Sequence, residues 1–321
     1  MKKSINEIGK DVIDLQIKAL RKLRNSLNNS FDLAVRTLLK CRSKVIVCGV
    51  GKSGIIASKI SATLSSIGTP SFSISANDCS HGDLGRITDK DILILISNSG
   101  NTSELKNIIQ YARSNKIFLI GIVSNKNSDL YKYSNIKLSI PEVEESGLGI
   151  VPTSSTTSQL AIGDALSISL MRKKKFGKLD FKKFHPSGNL GNKLKTAGDL
   201  MLIKNKIPLI NENQKMKSAL KVINSKRLGF LVVINNKGLT TGVFTDGDLK
   251  RLMQKKKKID NIIIKSYMTK NPYKVEENSL ATDVLSLMNK KKITNVCIYK
   301  KDNRRKTIGV LHIHHLLNFL G

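Results

Sequence analysis

Apolar residues recur at helical spacing from the start of the chain. Ile5, Ile8, Val12, Leu15, Ala19, Leu23 and Leu27 lie three or four places apart, and Leu33 and Leu38 follow. The pattern predicts helix over residues 4–40. An alternation comes next. KVIVCGV (44–50), SFSIS (71–75), DILILIS (91–97), IFLIGIVS (117–124) and IKLSIP (136–141) read as short buried strands. Helical patterns at 53–67, 103–114 and 158–173 lie between or after them. Such alternation implies an α/β fold with a parallel sheet covered on both faces. Ligands of such sheets sit at the carboxyl ends of the strands.

The pattern breaks at PSGNLGNKLKTA (186–197), and then the chain repeats itself. Residues 216–249 and 281–317 each read as a helix, a basic turn, a strand, a turn, a Gly-Val strand end and a helix. Gly242-Val243-Phe244 matches Gly309-Val310-Leu311 at a period of 67. Each copy has a Met-containing lead-in, Asp199-Leu200-Met201 and Ser266-Tyr267-Met268-Thr269. Neither half of such a tandem covers its own sheet, so the two are expected to pack as a pseudo-twofold pair.

Composition narrows the class. The 321 residues suffice for two or three domains, and 40% apolar with 25% charged residues reads as globular. Apolar runs such as 117–123 are too short to span a bilayer, so no membrane association is expected. The start is polar after Met1-Lys2-Lys3, which predicts no signal peptide. Cys41, Cys48, Cys79 and Cys297 show no close pairing, as expected of reduced thiols in the cytoplasm. The net charge of +31 invites a nucleic-acid reading. The basic residues are spread along the chain, with one tight block at 255–258, and aromatics total 5% with no Trp. Without stacking platforms the charge reads as a Lys-rich surface that attracts anionic substrates, and no nucleic-acid partner is expected.

The loop after the first strand holds Gly49-x-Gly51-x-x-Gly54 and Gly51-Lys52-Ser53. A dinucleotide site needs an acid at the end of the second strand, and the first acid after SFSIS is Asp78. A P-loop needs Gly five places before Gly51, where Ile46 stands. What survives is a Gly-rich turn into a helix N-terminus, able to hold one anion, with Lys52 adding a point charge. Ser97-Asn98-Ser99-Gly100-Asn101-Thr102 follows the third strand in the same way. Thr153-Ser154-Ser155-Thr156-Thr157 precedes the helix expected at 158–173. Each hydroxyl could be a mere N-cap. Three such helix starts on one sheet, with no dinucleotide reader, favour a sugar phosphate.

These residues carry a resemblance. Ser97-Asn98-Ser99-Gly100-x-Thr102 after a strand resembles the sugar isomerase (SIS) domain. GVGKSG, GTPSFSI, HGDLG, ISNSGNTSE, PTSSTT, GDAL and FHPSGNLG, in that order, resemble the D-arabinose 5-phosphate isomerases. In that family the SIS domain is followed by two CBS modules, and Met268-Thr269-x-Asn271-Pro272 and GVFTDGDL (242–249) are similar to CBS signatures. The resemblance implies a parallel-sheet, three-layer SIS domain over 1–197, with 1–40 an N-terminal helical segment, then a tandem α+β CBS pair at 198–262 and 263–321.

The family reaction interconverts D-ribulose 5-phosphate and D-arabinose 5-phosphate through an enediol and supplies the Kdo sugar of lipopolysaccharide. It needs no redox cofactor. The resemblance implies Lys52, Glu104, Glu144 and His185 as catalytic residues, with Pro186 fixing the turn after His185. It places Gly51, Ser53, Gly68, Thr69, His81, Ser97, Asn98, Ser99, Thr102, Ser154, Ser155 and Thr156 around the substrate. Counting back from Pro152 selects Glu144 as the base, with Glu145 adjacent as the alternative. Some members carry a metal-binding His six residues before His81. Ser75 stands there, so zinc is not expected. In the CBS pair Asp248, with Thr245 beside it, is implied to hold the ribose of a nucleotide or sugar nucleotide. His315 stands at the matching place of the second copy, and His312–His315 reads as a drifted repeat position more than as a metal site. A homotetramer with sites between subunits is the family's implied assembly. The alternatives are a non-catalytic sugar-phosphate-binding regulator and an isomerase of another phosphosugar.

Overall fold

In the computed structural model, described for residues 3–185, 191, 194–256 and 258–320, the chain forms two compact units, Met1–Phe184 and His185–Gly321. The first opens with two helices, α1 (Ile5–Ser26) and α2 (Asn29–Lys40), where the apolar pattern predicts one. The stripe runs across the join, but Leu27 is extended (φ −62°, ψ 128°) and Asn28 accepts the Ser30 N–H at 2.9 Å, capping a fresh helix. Periodicity does not register a cap that breaks the backbone without breaking the stripe.

Five strands form one parallel sheet: β1 (Val45–Gly49), β2 (Ser71–Ser75), β3 (Ile92–Ser97), β4 (Phe118–Val123) and β5 (Ile136–Ser139), in the order β2-β1-β3-β4-β5. The strand period of two sorts their side chains between two cores. Val45, Val47, Ile92, Ile94 and Ile96 face one core, completed by α1, α2, α3 (Lys52–Ser66) and α7 (Ser154–Lys173). Ile46, Cys48, Leu93 and Leu95 face the other, under α4 (Ala76–Cys79), α5 (Ser103–Ser114) and α6 (Asp129–Tyr133). Both faces are thus buried, which explains why the strands read as continuous apolar runs. The short helices α4, α6 and α8 (Lys178–Phe184) carry too few turns to show a period.

Asp91, 1% exposed, ties the starts of β1 and β3 together. It accepts from Ser43 Oγ (2.6 Å), Lys44 N (3.1 Å), Thr88 N (2.8 Å) and Thr88 Oγ1 (2.9 Å). Burial pushes its carboxyl up, but these bonds outweigh burial and hold it below the usual range. The described cysteines are all free thiols.

The second unit has two sheets, β6-β7-β8-β9 and β10-β11-β12. Here β6 is Leu209–Asn211, β7 Phe230–Ile234, β8 Thr240–Thr245, β9 Thr269–Lys270, β10 Lys274–Glu276, β11 Asn295–Tyr299 and β12 Gly309–His312. The lead-ins are exchanged between copies. Thr269, beside Met268, pairs with Val243 on β8, and Leu202, beside Met201, bridges Val310 on β12. A side chain at Gly242 would strike Met268, and one at Gly309 would strike Met201. The Gly-Val pair of each copy is therefore the seat of the other copy's methionine. Thr240 and Thr307, 67 positions apart, meet through their hydroxyls at 2.7 Å. The helices that begin at Met216 and Ala281 recur at 65 instead, because the spacings before and after them differ between copies.

Candidate functional site

Strand order 2-1-3 makes a switch point between β1 and β3: the chain leaves β1 for a strand on one side and reaches β3 on the other. Loops diverge there and leave a crevice at the carboxyl ends. The two Gly-rich loops expected to hold an anion are the ones that flank it, since Gly49 and Ile96 are register partners.

Gly51 (φ 56°) caps α3, and Lys52 is that helix's exposed first residue, with Ser53 half-buried behind it. A side chain at Gly49 would strike the Ser53 backbone, so the turn needs glycine. Across the switch point Ser97 ends β3, 4% exposed. Its Oγ accepts the Gly100 N–H at 3.0 Å and meets Thr102 Oγ1 at 2.9 Å and Ser99 Oγ at 3.5 Å. Asn98 is exposed, and its carbonyl accepts from Ser124 N at 3.2 Å and Asn125 N at 3.3 Å. Thr102 is the N-cap of α5 but makes no side-chain bond to the helix. Three hydroxyls and a helix start that no side chain caps make a cradle for a tetrahedral anion.

Asn101 braces this loop from below. Its Oδ1 accepts the Asp129 N–H at 2.9 Å, and the Gly100 carbonyl accepts the Leu130 N–H at 3.2 Å. The sequence reading did not single out Asn101, and its place between Gly100 and Thr102 was the signal. Glu104, in the first turn of α5, accepts from Ser103 Oγ at 2.7 Å. That bond, with its own backbone, holds its carboxyl below the usual range. His81 is exposed in the turn after β2 and α4.

The third hydroxyl-rich segment behaves differently. α7 begins at Ser154, so the cluster is the helix's first turn and does not precede it. Its donors are engaged by Glu145. That carboxylate accepts from Thr153 N (2.7 Å), Thr153 Oγ1 (3.0 Å), Ser154 N (2.8 Å) and Ser155 N (3.2 Å). Partial burial pushes Glu145 up, but these donors outweigh it and hold it below the usual range. Thr156 Oγ1 donates to the Thr153 carbonyl at 2.9 Å. Ser154 and Ser155 are buried, and their amides together with the Thr156 hydroxyl point inward to the chain's own acceptors. Glu144, next door, is exposed.

Gly68 and Thr69 stand on the turn from α3 into β2. They precede β2 at its amino end, away from the crevice. Phe176 and Phe184 lie against Gly68, and Lys174 Nζ donates to the Gly68 carbonyl (3.0 Å) and Thr69 Oγ1 (2.6 Å). His185 is the first residue of the second unit, and the turn expected at Pro186 lies outside the described residues, as does most of the FHPSGNLG motif. Ser75 caps α4 through Asp78 N, and among the described residues no group of three or more His, Cys, Asp or Glu is placed to hold a metal.

In the second unit a cleft of about 750 Å³ is lined by Arg227, Asp248, Arg251, Lys292, Asn295 and His312 among others. Asp248 accepts from Thr245 N (2.9 Å), Thr245 Oγ1 (2.8 Å), Arg251 (2.5 Å) and Thr269 Oγ1 (3.2 Å). Burial pushes it up, and these bonds outweigh burial. His314 also lines the cleft, and His312 Nδ1 accepts the His314 N–H at 3.2 Å, standing where the first copy has Thr245.

Comparison with known proteins matches these parts. The SIS domain model matches residues 38–169, and the CBS domain model matches 197–255 and 264–321. An arabinose 5-phosphate isomerase of Yersinia pestis is 38% identical over 313 residues, 97% of this chain and 94% of that one. The Escherichia coli (strain K12) protein of the same name is 36% identical over 97% of this chain and 94% of its own. Among solved structures, an E. coli CFT073 protein in complex with arabinose 5-phosphate is 36% identical, with a TM-score of 0.55 over 57% of this chain and 97% of that one. A Bacteroides fragilis structure described as a phosphosugar isomerase involved in capsule formation is 31% identical, with a TM-score of 0.54 over 57% of this chain and 97% of that one.

Proposed function

The chain belongs to the arabinose 5-phosphate isomerase family, and from that membership we infer that it interconverts D-ribulose 5-phosphate and D-arabinose 5-phosphate, supplying Kdo for lipopolysaccharide. It is an enzyme of the aldose–ketose isomerase class. The observation that carries the substrate class is the Ser97–Thr102 loop: three hydroxyls at the start of α5, on the switch point of the sheet, suit one phosphomonoester.

Anchoring the phosphate leaves C1 and C2 of the sugar to be worked on. A base takes the proton from C1 of the ketose, the C2 carbonyl becomes an enediol, and a proton returns to C2. Two groups are needed, one to move the carbon-bound proton and one to steady charge on the oxygens. We assign the first role to Glu144. What supports it over Glu145 is that Glu145 already accepts from four donors and is held anionic by them, which makes it a poor proton acceptor. Lys52, on the opposite loop, serves the developing enediolate or the phosphate. Glu104 and His185 are assigned to hydroxyl protons, His185 because one imidazole nitrogen can give a proton while the other takes one. Only protons move, so no redox cofactor is needed.

The cleft between the CBS copies is read as the site of a nucleotide or sugar nucleotide. Arg227, Arg251 and Lys292 around it supply charge for phosphate. Ile55 (73% exposed), Leu148 (96%) and Ile150 (76%), on segments that flank the rim, support a tetramer in which a second copy covers them. The free thiols favour a reducing, cytoplasmic compartment. The test is turnover of D-ribulose 5-phosphate set against other ketose phosphates. Arabinose 5-phosphate as product supports the reading. A different aldose phosphate would shift the substrate, and binding without turnover would make the chain a sensor.

A further inference from the structure

Of the three hydroxyl-rich helix starts, one arrives already filled. α7 is 20 residues long, so its first-turn amides carry the full positive end of a helix. Its N-cap residue, Thr153, makes no side-chain bond to the helix. The cap comes from outside, in the carboxylate of Glu145. The same residues close the intervening loop. Ser146 N donates to Thr153 Oγ1 at 3.0 Å, Val151 N donates to the Ser146 carbonyl at 3.3 Å, and Ser146 and Val151 form an antiparallel bridge. Gly147 (φ 61°), Leu148 (φ 64°) and Gly149 (φ 76°) make the turn at its tip. The loop is held at its neck by Glu145 and Ser146, and Glu145 is one residue from Glu144.

We propose that Glu145 is a positioning residue: its carboxylate fills the α7 N-terminus as a built-in anion, fixes the segment that carries Glu144, and reserves the Ser97–Thr102 loop for the sugar's phosphate. A helix start left empty beside the crevice would compete for the phosphate and seat the sugar with its carbons out of reach of Glu144. A neutral side chain at 145 could accept one or two amides but not balance the helix end. Without the carboxylate the loop's closure depends on the Ser146–Thr153, Ser146–Val151 and Gly147–Ile150 bonds.

The kinetic half rests on the isomerase reading; the structural half does not. The test is Glu145→Ala and Glu145→Gln, each assayed with D-ribulose 5-phosphate and melted in sodium formate or sodium chloride at equal ionic strength. Formate fits the space an Ala side chain vacates and supplies the missing carboxylate. Glu145→Ala should lose roughly tenfold or more in kcat with little change in KM, as expected when an aligned base is misplaced. Formate should restore part of that loss and raise the Tm of the Ala variant. It should do neither for Glu145→Gln, whose side chain blocks the space, nor for the native chain. An Ala variant that folds only in formate supports the proposal equally. Native kcat in Glu145→Ala overturns it, as does an Ala variant whose rate and Tm ignore formate. If the native chain turns over no pentose phosphate, the isomerase reading fails by itself, and the melting arm still decides whether Glu145 is the built-in anion.

Discussion

Ser97 Oγ and Thr102 Oγ1 lie 2.9 Å apart, across a loop that turns from the end of β3 into the start of α5. The pair stands five positions apart and is closed by the Gly100 N–H on Ser97. One of the two hydroxyls donates to the other, and an arriving anion can accept from both. Each bond to a charged acceptor is worth about 1.5–3 kcal/mol. Ser97→Ala or Thr102→Val should therefore lower kcat/KM by roughly ten- to a hundredfold, mostly through KM. Steady-state kinetics of the two single variants checks this.

Gly100 permits that geometry. It sits at φ 68°, and a Cβ there would run into Ser128 and Val123. Gly100→Ala should both strain the backbone and push α6 away from the loop, costing about 1–3 kcal/mol. Thermal melting should show a lowered Tm, and activity should fall further than the lost stability accounts for.

Removing the proton acceptor at Glu144 should leave binding intact. Glu144→Gln keeps the size and loses the base, so kcat should fall by roughly a hundred- to ten-thousandfold while KM stays near native. Comparing kcat and KM in one assay series separates this from a folding defect.

Asp91 gives the pH dependence of the fold a definite sign. Its folded pKa is depressed, so the stability it contributes is fully present above the pKa of an unfolded aspartate. That contribution is lost as pH falls through the folded value. Native protein and Asp91→Asn should thus differ in Tm at neutral pH and converge in strong acid. Melting curves across that range test it. A gap that widens with acid would contradict the account.

Asp248 does two jobs in the CBS pair, capping the helix Asp246–Lys255 and facing the cleft. Asp248→Ala should cost about 0.5–2 kcal/mol as a lost cap. It should also weaken binding of an adenosine nucleotide by at least roughly tenfold, as loss of a charge-assisted bond predicts. Calorimetric titration with AMP, run beside a melt, reads the two effects separately.

The legible parts were those written in periods and in glycine. β2 and α5 fall where alternation and the apolar stripe put them, because both are long enough to repeat. The Gly-Val repeat pointed to the seats of Met201 and Met268, though not to their exchange between copies, since sequence spacing says nothing about which sheet a lead-in joins. The cradle at Ser97–Thr102 was legible because a strand, a Gly and three hydroxyls stand in order. The filling of α7 by Glu145 was not. An acid eight residues before a Thr cluster looks like any other until the intervening loop closes and brings the carboxylate onto the amides.

The central claim is that a pentose 5-phosphate is isomerised with its phosphate held by the Ser97–Thr102 loop. The most direct measurement is ³¹P NMR of D-ribulose 5-phosphate incubated with the native chain and with the Ser97→Ala, Thr102→Val double variant. The account predicts that the native chain produces D-arabinose 5-phosphate until the two sugars reach equilibrium. The double variant should need at least roughly tenfold more substrate for the same initial rate. An unchanged ribulose 5-phosphate signal with the native chain, or a double variant that matches it at low substrate, would contradict the account.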